Sequence, residues 1–178
     1  MTTATPHAIP DSGELNAIAS ATAAAVDANP AAAVAVFTAH AEPTGRVGSD
    51  IALGPYRVSV DEPPALGGEG SAPNPVEYYL AALLSCQVVT YRFWAQRLGI
   101  EIDSLNARAE GDLDVNGFFG LDETTRPGFQ EVRVAVEISG PATEEQYRHL
   151  QEVVDQHCPV LDLTVSPTPV TTTLNVAD

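Results

Sequence analysis

Two cysteines are the residues of this sequence best suited to nucleophilic or redox chemistry. Cys86 lies in the middle of a long apolar segment, and Cys158 lies directly before Pro159 at the end of an amphipathic one. A thiolate is a strong nucleophile, whereas a buried thiol can simply pack as a small hydrophobe. Spacing alone does not establish contact, so both interpretations stay open, although two cysteines facing one core favour a pair.

His157, beside Cys158, raises the alternatives of a metal site or a Cys-His catalytic pair. A structural zinc site needs four ligands, usually including a CxxC-type pair, which this chain lacks. Adjacent residues of a helix point about 100° apart, so His157 is badly placed to act as a base for Cys158. We expect a solvated histidine at a helix end, and neither a metal nor a cofactor.

The element that must position Cys86 is the strongest helix of the sequence, Pro75–Leu98. Asn74 is suited to the N-cap, Pro75 to the first turn and Gly99 to the C-terminal end. No charged residue occurs between Tyr78 and Tyr91, so we expect this helix to be buried on nearly all sides.

The remaining pattern predicts an α+β domain in which an antiparallel sheet wraps around that helix. Residues 1–30 read as a flexible lead and an Ala-rich helix over roughly 13–28 capped by Ser12, and residues 31–178 as the main domain. The loop Val115–Gly128 is unusually apolar. A helix begins near Ala142 and ends at or just before Cys158, because Pro159 disfavours helix at the preceding residue. The expected strands are 32–41, 56–61, 105–113, 132–138 and 170–176.

The composition limits the possible partners and location. The 178 residues carry 24 acidic side chains against eight Arg and no Lys, which gives a net charge of −16. Such a charge disfavours binding to nucleic acid or to an anionic membrane surface. No segment approaches the roughly 20 apolar residues of a transmembrane helix, and no secretory signal is visible, so we expect a cytoplasmic protein.

Three motifs in order resemble the OsmC/Ohr superfamily of organic hydroperoxide resistance proteins. The segment Asn74–Cys86, NPVEYYLAALLSC, resembles the NP-x-E-x-LLAAL-xx-C helix of that family. Asp61–Gly68, DEPPALGG, resembles its connector, and His157–Val160, HCPV, resembles its second-cysteine motif. The resemblance implies an OsmC-like fold and an intertwined homodimer with active sites at the subunit interface. Cys86 would be the peroxidatic thiol and Cys158 the resolving thiol, regenerated by an external dithiol.

The family also uses an Arg and a Glu. Burial opposes ionisation of a thiol, so a guanidinium must approach Cys86 from another element. Arg46, in the turn between the first strands, has the family's position, with Arg57 and Arg126 as rivals. Glu77 would be the glutamate, although it also fits the N3 position of a capping box and lies half a turn out of phase with Cys86.

The sequence therefore predicts a thiol peroxidase that reduces small organic hydroperoxides, with Phe118 and Phe119 lining the substrate pocket or the dimer contact. The alternative is a non-catalytic OsmC-like protein that binds a hydrophobic small molecule. A Cys-dependent acyl transferase is disfavoured because no histidine is convincingly placed for Cys86.

Overall fold

The computed structural model describes residues 13–176. The lead over residues 1–12 and the Ser12 cap lie outside this range. The first element is the expected Ala-rich helix, α1 (Gly13–Ala28), none of whose residues is buried. A 3₁₀-helix follows at Pro30–Ala33, begun by Asn29, whose side chain accepts a hydrogen bond from the Ala31 amide.

Three antiparallel strands form the first sheet: β1 (Ala39–Thr44), β2 (Gly48–Leu53) and β3 (Tyr56–Val60), in that order. The expected strand over 32–41 is wrong for most of its length. Val34, Val36 and Phe37 have strand propensity but lie 76%, 85% and 92% exposed with no strand beside them. A strand needs a pairing partner as well as propensity.

The strand β2 was missed by the sequence reading. Its Gly48-Ser49-Asp50 start is polar and reads as part of a turn. Pairing on both sides makes it a strand, because Ile51 of β2 lies opposite Ala41 of β1 and opposite Val58 of β3. The expected strand at 56–61 corresponds to β3.

The helix α2 (Pro75–Leu98) has the predicted bounds and caps. Asn74 accepts a hydrogen bond from the Glu77 amide, and Glu77 accepts one from the Asn74 amide, which completes a capping box. Burial on nearly all sides is wrong for the single chain, because one face of the helix is open. That face carries Ala81, Ala82, Ser85 and Val89, and Val89 is 64% exposed.

A second, two-stranded antiparallel sheet follows α2. Its strands are β4 (Ser104–Leu113) and β5 (Phe129–Ser139), close to the expected positions. The apolar loop between them contains a short helix, α3 (Val115–Phe119), with Asp114 as its N-cap.

The C-terminal part contains two helices, α4 (Glu144–His157) and α5 (Pro159–Val165). The first ends where expected. The second was missed because the same proline that disfavours helix at Cys158 is well suited to begin a new one. The expected strand 170–176 is wrong: these residues lie in irregular backbone, and Val170 and Leu174 are more than 80% exposed.

The main core lies where α2, α4 and the second sheet meet. Leu150 and Val154 of α4 are fully buried against Tyr91 and Ala95 of α2, and Ile100 completes the cluster. The architecture is therefore α+β with antiparallel sheets, as expected, but the strands of one chain form two separate sheets.

Candidate functional site

Cys86 lies halfway along α2, held by a helix with defined caps at both ends. It is partly buried and is a free thiol. On the next turn Thr90, which is 6% exposed, donates its hydroxyl to the Cys86 carbonyl oxygen at 2.8 Å. This contact ties the backbone of the cysteine to a buried polar side chain.

Cys158 lies at the junction of α4 and α5. Its amide donates to the Val154 carbonyl at 2.9 Å as the last bond of α4, and its carbonyl accepts the Asp162 amide at 3.0 Å as the first of α5. The side chain is a free thiol with only 1% of the residue exposed. Hydrogen bonds on both sides therefore fix the backbone of Cys158.

The structure brings together the thiols of Cys86 and Cys158, two residues more than 70 positions apart in the sequence. The helix α2 packs on both α4 and α5, and Cys86 lies close enough to Cys158 to affect the pKa of that thiol. Burial raises the pKa of Cys158, and the Leu161 amide opposes that shift. The contact with Cys86 and the negative charge of an ionised Cys86 raise the pKa further, and the Thr90 hydroxyl lowers it. In this pair, ionisation of Cys86 disfavours ionisation of Cys158.

None of the three candidate arginines is brought to this pair within one chain. Arg46 lies exposed in the β1–β2 turn, over the connector, where its Cδ is 3.9 Å from the ideal Cβ position of Gly67. Arg57 lies on β3 and Arg126 in the β4–β5 loop, and both are exposed. Within residues 13–176, no positive side chain contributes to the pKa shift of Cys158.

Glu77 is engaged in the capping box, where its Oε2 accepts the Asn74 amide at 2.8 Å. This contact gives the side chain a complete structural role at the start of α2, several turns from Cys86. The structure thus places Glu77 at the N-terminus of the helix that carries Cys86, and does not bring it to the thiol of the same chain.

The connector between β3 and α2 is organised by Asp61, a buried carboxylate that the sequence reading noted only as part of a motif. It accepts hydrogen bonds from the amides of Glu62, Glu69 and Ser71 at 2.8–3.0 Å and from the Ser71 hydroxyl at 2.9 Å. The Ser71 amide contributes most to lowering the pKa of Asp61 to about 2. Gly68 is required because an added Cβ would lie 1.8 Å from the Glu62 carbonyl oxygen.

Phe118 and Phe119 lie on α3 with their rings in an edge-to-face contact at 5.1 Å between centroids. They are 67% and 52% exposed. Both side chains are therefore largely open to solvent in the single chain.

His157 does not pair with Cys158. Its ring packs on Trp94 with 4.3 Å between centroids, and its Nδ1 lies 2.7 Å from the Val153 carbonyl oxygen. In the part of the chain that the structure describes, no group of three or more His, Cys, Asp or Glu side chains could hold a metal ion. No helix among the described residues is long and apolar enough to cross a membrane.

An open groove of about 990 Å³, which the sequence did not indicate, lies between β5 and the helices α2, α4 and α5. Val132, Val134, Val136 and Ile138 of β5 line its apolar side. Its polar groups include Gln87, Tyr91 and Asp155, which nothing in the sequence marked as neighbours. Burial raises the pKa of Tyr91 to about 12, with a further contribution from the charge of Asp155, and burial also raises the pKa of Asp155.

Several solved structures of bacterial proteins have the same fold. The OsmC-like protein of Mycoplasma pneumoniae has a TM-score of 0.65 and 18% identity over 75% of this chain and 89% of its own. An organic hydroperoxide resistance protein from Legionella pneumophila has a TM-score of 0.59 and 21% identity, covering 75% and 91%. One from Elizabethkingia anophelis has a TM-score of 0.57 and 22% identity, with the same coverage.

No curated protein sequence matches the chain. A family model described as OsmC-like protein matches residues 68–173, which is more than half of the chain and includes both cysteines. The resemblance seen in the three sequence motifs is therefore confirmed, and the chain belongs to the OsmC-like protein family.

Proposed function

We propose that this protein is a thiol peroxidase that reduces organic hydroperoxides through Cys86 and Cys158. The observation that carries the proposal is the proximity of these two thiols, one on α2 and one at the α4–α5 junction, where α2 packs on both helices. Names of solved relatives include organic hydroperoxide resistance proteins, which fits the same class of substrate.

In the first step the Cys86 thiolate attacks the outer oxygen of the hydroperoxide. A sulfur–oxygen bond forms and the O–O bond breaks, so the alcohol leaves after taking a proton and Cys86 becomes a sulfenic acid. The two electrons that reduce the peroxide come from the Cys86 sulfur.

In the second step the Cys158 thiolate attacks the Cys86 sulfur. A disulfide forms, the S–O bond breaks, and hydroxide leaves as water after protonation. An external dithiol then reduces the disulfide by exchange, which requires a reducing compartment. Burial and the negative charge of an ionised Cys86 both raise the pKa of Cys158, which favours the neutral Cys158 thiol while Cys86 attacks.

The thiolate of Cys86 needs a cation, and among the described residues no positive side chain contributes to the pKa of the neighbouring Cys158. We assign this role to Arg46 of a second copy, in a homodimer. Two features of the single chain support the dimer: the uncharged face of α2 is open, and all six residues of β1 are exposed. Glu77, whose Oε2 is engaged at the helix cap, is placed in this proposal as the partner of Arg46, and Phe118 and Phe119 as walls of the substrate pocket.

The test compares the reduced protein with its Cys86→Ser and Cys158→Ser variants in the reduction of cumene hydroperoxide with excess dithiol. We expect turnover in the unmodified protein and none above background in Cys86→Ser, because only the Cys86 sulfur attacks the peroxide. Cys158→Ser is the matched control, since it keeps the attacking thiol and loses only the resolving one. Equal turnover in the protein and in Cys86→Ser would refute the proposal.

A second candidate is a non-catalytic protein that binds a hydrophobic small molecule. The groove beside β5, about 990 Å³ with four aliphatic side chains from that strand, favours it. Unreactive thiols together with saturable binding of an apolar fluorescent dye, weakened by Val134→Glu, would support this candidate over the peroxidase.

A further inference from the structure

The open groove between β5 and the helices contains two buried polar side chains without a partner. Gln87 and Tyr91 are each 3% exposed, lie one turn apart on α2 and both line the groove. Among the residues that the structure describes, neither the Gln87 amide nor the Tyr91 hydroxyl makes a side-chain hydrogen bond. Tyr147, the other phenol of the groove, differs because its hydroxyl donates to the Glu101 carbonyl at 2.9 Å. Buried polar groups are rarely left unpaired, so two of them in one groove point to a polar group supplied from outside the chain.

The groove also carries one negative charge that no cation in it compensates. Its three charged side chains all come from α4. Glu144 and Arg148 form an ion pair with each other, whereas Asp155 forms none within residues 13–176. Burial raises the pKa of Asp155, and the charge of Asp155 adds to the rise in the pKa of Tyr91. A cation beside Asp155 would offset the unfavourable burial of its charge.

The remaining surface of the groove is aliphatic. Alternate residues of β5 share one face of the strand, and α5 adds two more aliphatic side chains. These residues are Val132, Val134, Val136 and Ile138 of β5 and Leu161 and Val165 of α5. The volume of about 990 Å³ is that of a large small-molecule site. An aliphatic chain therefore fits along β5 while a polar end meets the groups on α2 and α4.

We infer that the groove binds a small amphiphilic amine, with its ammonium group among Asp155, Tyr91 and Gln87 and its aliphatic chain along β5. An ammonium group has three hydrogen-bond donors. The groove offers a carboxylate, a phenol oxygen and an amide oxygen, none of which has a partner in the described part of the chain. A fatty acid has the wrong charge for Asp155, and an alcohol leaves that charge uncompensated. The inference goes beyond the proposed function and does not rest on it.

The test measures the binding of n-octylamine, 1-octanol and octanoate to the reduced protein by isothermal titration calorimetry, without peroxide. The three probes share an aliphatic chain and differ in the charge of the polar end. A hydrogen bond to a charged group is worth about tenfold or more in affinity. We therefore expect saturable binding of octylamine, about tenfold tighter than that of 1-octanol, and the weakest binding for octanoate.

Three variants assign the binding to the groove. Asp155→Asn should weaken octylamine binding about tenfold and leave 1-octanol binding unchanged, because only the ammonium needs the charge. Tyr91→Phe keeps the ring in the core and should weaken octylamine binding about fivefold. Glu145→Gln is the matched control, because it makes the same change of charge at an exposed position of α4 that does not line the groove. It should leave octylamine binding unchanged.

Equal affinities for octylamine and 1-octanol would overturn the inference, as would equal weakening of octylamine binding by Asp155→Asn and Glu145→Gln. Absence of saturable binding would overturn it too, and slower hydrogen exchange of the β5 amides on dimer formation would then identify a second copy of the chain as the occupant. Cys86→Ser should bind octylamine like the unmodified protein, so a failure of the peroxidase proposal is distinguishable from a failure of this one.

Discussion

At the residue scale, the proposed chemistry depends on two sulfur atoms with different surroundings. Cys158 is fully buried and its pKa is raised, whereas Cys86 is partly open. Attack on a peroxide requires access, and resolution requires proximity to the first sulfur. The exposure of the two residues therefore agrees with a peroxidatic Cys86 and a resolving Cys158.

The first prediction concerns Cys158→Ser. Without a thiol to condense with it, the Cys86 sulfenic acid reacts with further peroxide and becomes a sulfinic acid. Intact mass spectrometry after excess hydroperoxide should show a chain that has gained two oxygen atoms, where the unmodified protein loses only two hydrogens. The double variant without either cysteine serves as the control and should keep its mass. Identical masses for Cys158→Ser and the double variant would contradict the assignment.

The sequence identified Cys86, Cys158 and the possible roles of Arg46 and Glu77, because the motifs around them are local. It did not identify the groove in which Gln87 and Tyr91 of α2 meet Asp155 of α4. That meeting depends on how α4 packs on α2, and no local pattern encodes the geometry. For Glu77, the capping-box reading is confirmed by both reciprocal hydrogen bonds.

At the scale of elements, α2 and α4 could be read from the sequence because each has its own capping box and end signal. Strand formation near the two ends of the chain could not be predicted correctly from the sequence. Residues 32–38 and 170–176 have strand propensity, but whether they form strands depends on a partner strand elsewhere. The helix α5 was hidden because Pro159 both ends one helix and begins another.

The second prediction concerns the packing of α4 on α2. Leu150 is fully buried in the main core, so Leu150→Ala should lower the free energy of unfolding by about 2–5 kcal/mol. Leu121, which is 73% exposed, provides the matched control, and Leu121→Ala should change stability by less than about 0.5 kcal/mol. Chemical denaturation followed by circular dichroism measures both. Equal effects of the two substitutions would contradict the described core.

The third prediction concerns the connector and pH. The pKa of Asp61 is about 2 in the folded protein, below its usual value, because amides and a hydroxyl bind the carboxylate. Its contribution to stability is therefore present above the unfolded-state pKa, near 3.9, and is lost as the pH falls from about 4 towards 2.

Asp61→Asn should be less stable at neutral pH and should lose less stability over that acidic interval. Thermal melts at a series of pH values check this. Asp50→Asn is a suitable control, because Asp50 is exposed and accepts only the Ser59 hydroxyl. A parallel pH dependence in the protein and in Asp61→Asn would be the contradictory result.

At the scale of the whole molecule, one chain leaves large apolar surfaces uncovered. The open face of α2, the exposed strand β1 and the irregular segment 167–176 all belong to the single chain. An intertwined dimer, in which the sheets of two chains surround their central helices, would cover such surfaces and bring a guanidinium to Cys86. That arrangement is the part of the predicted fold that one chain cannot display.

The fourth prediction concerns this dimer. Val89→Glu places a charge on the open face of α2 and should shift the protein from dimer to monomer in analytical ultracentrifugation, because a buried unpaired charge is strongly unfavourable. Turnover should fall with dissociation, since Arg46 would no longer reach Cys86. Leu98→Glu, at the far end of the same helix, is the control. A monomeric unmodified protein that turns over hydroperoxide would refute the assignment of Arg46.

The most direct test of the account is to map the cysteine linkage after one equivalent of organic hydroperoxide, by proteolysis and mass spectrometry without reduction. We predict a single disulfide joining the peptides that contain Cys86 and Cys158, formed in the unmodified protein and absent when Cys86 is serine. Two free thiols after the peroxide has been consumed, or a Cys86 that is oxidised while Cys158 stays reduced beside it, would contradict the account.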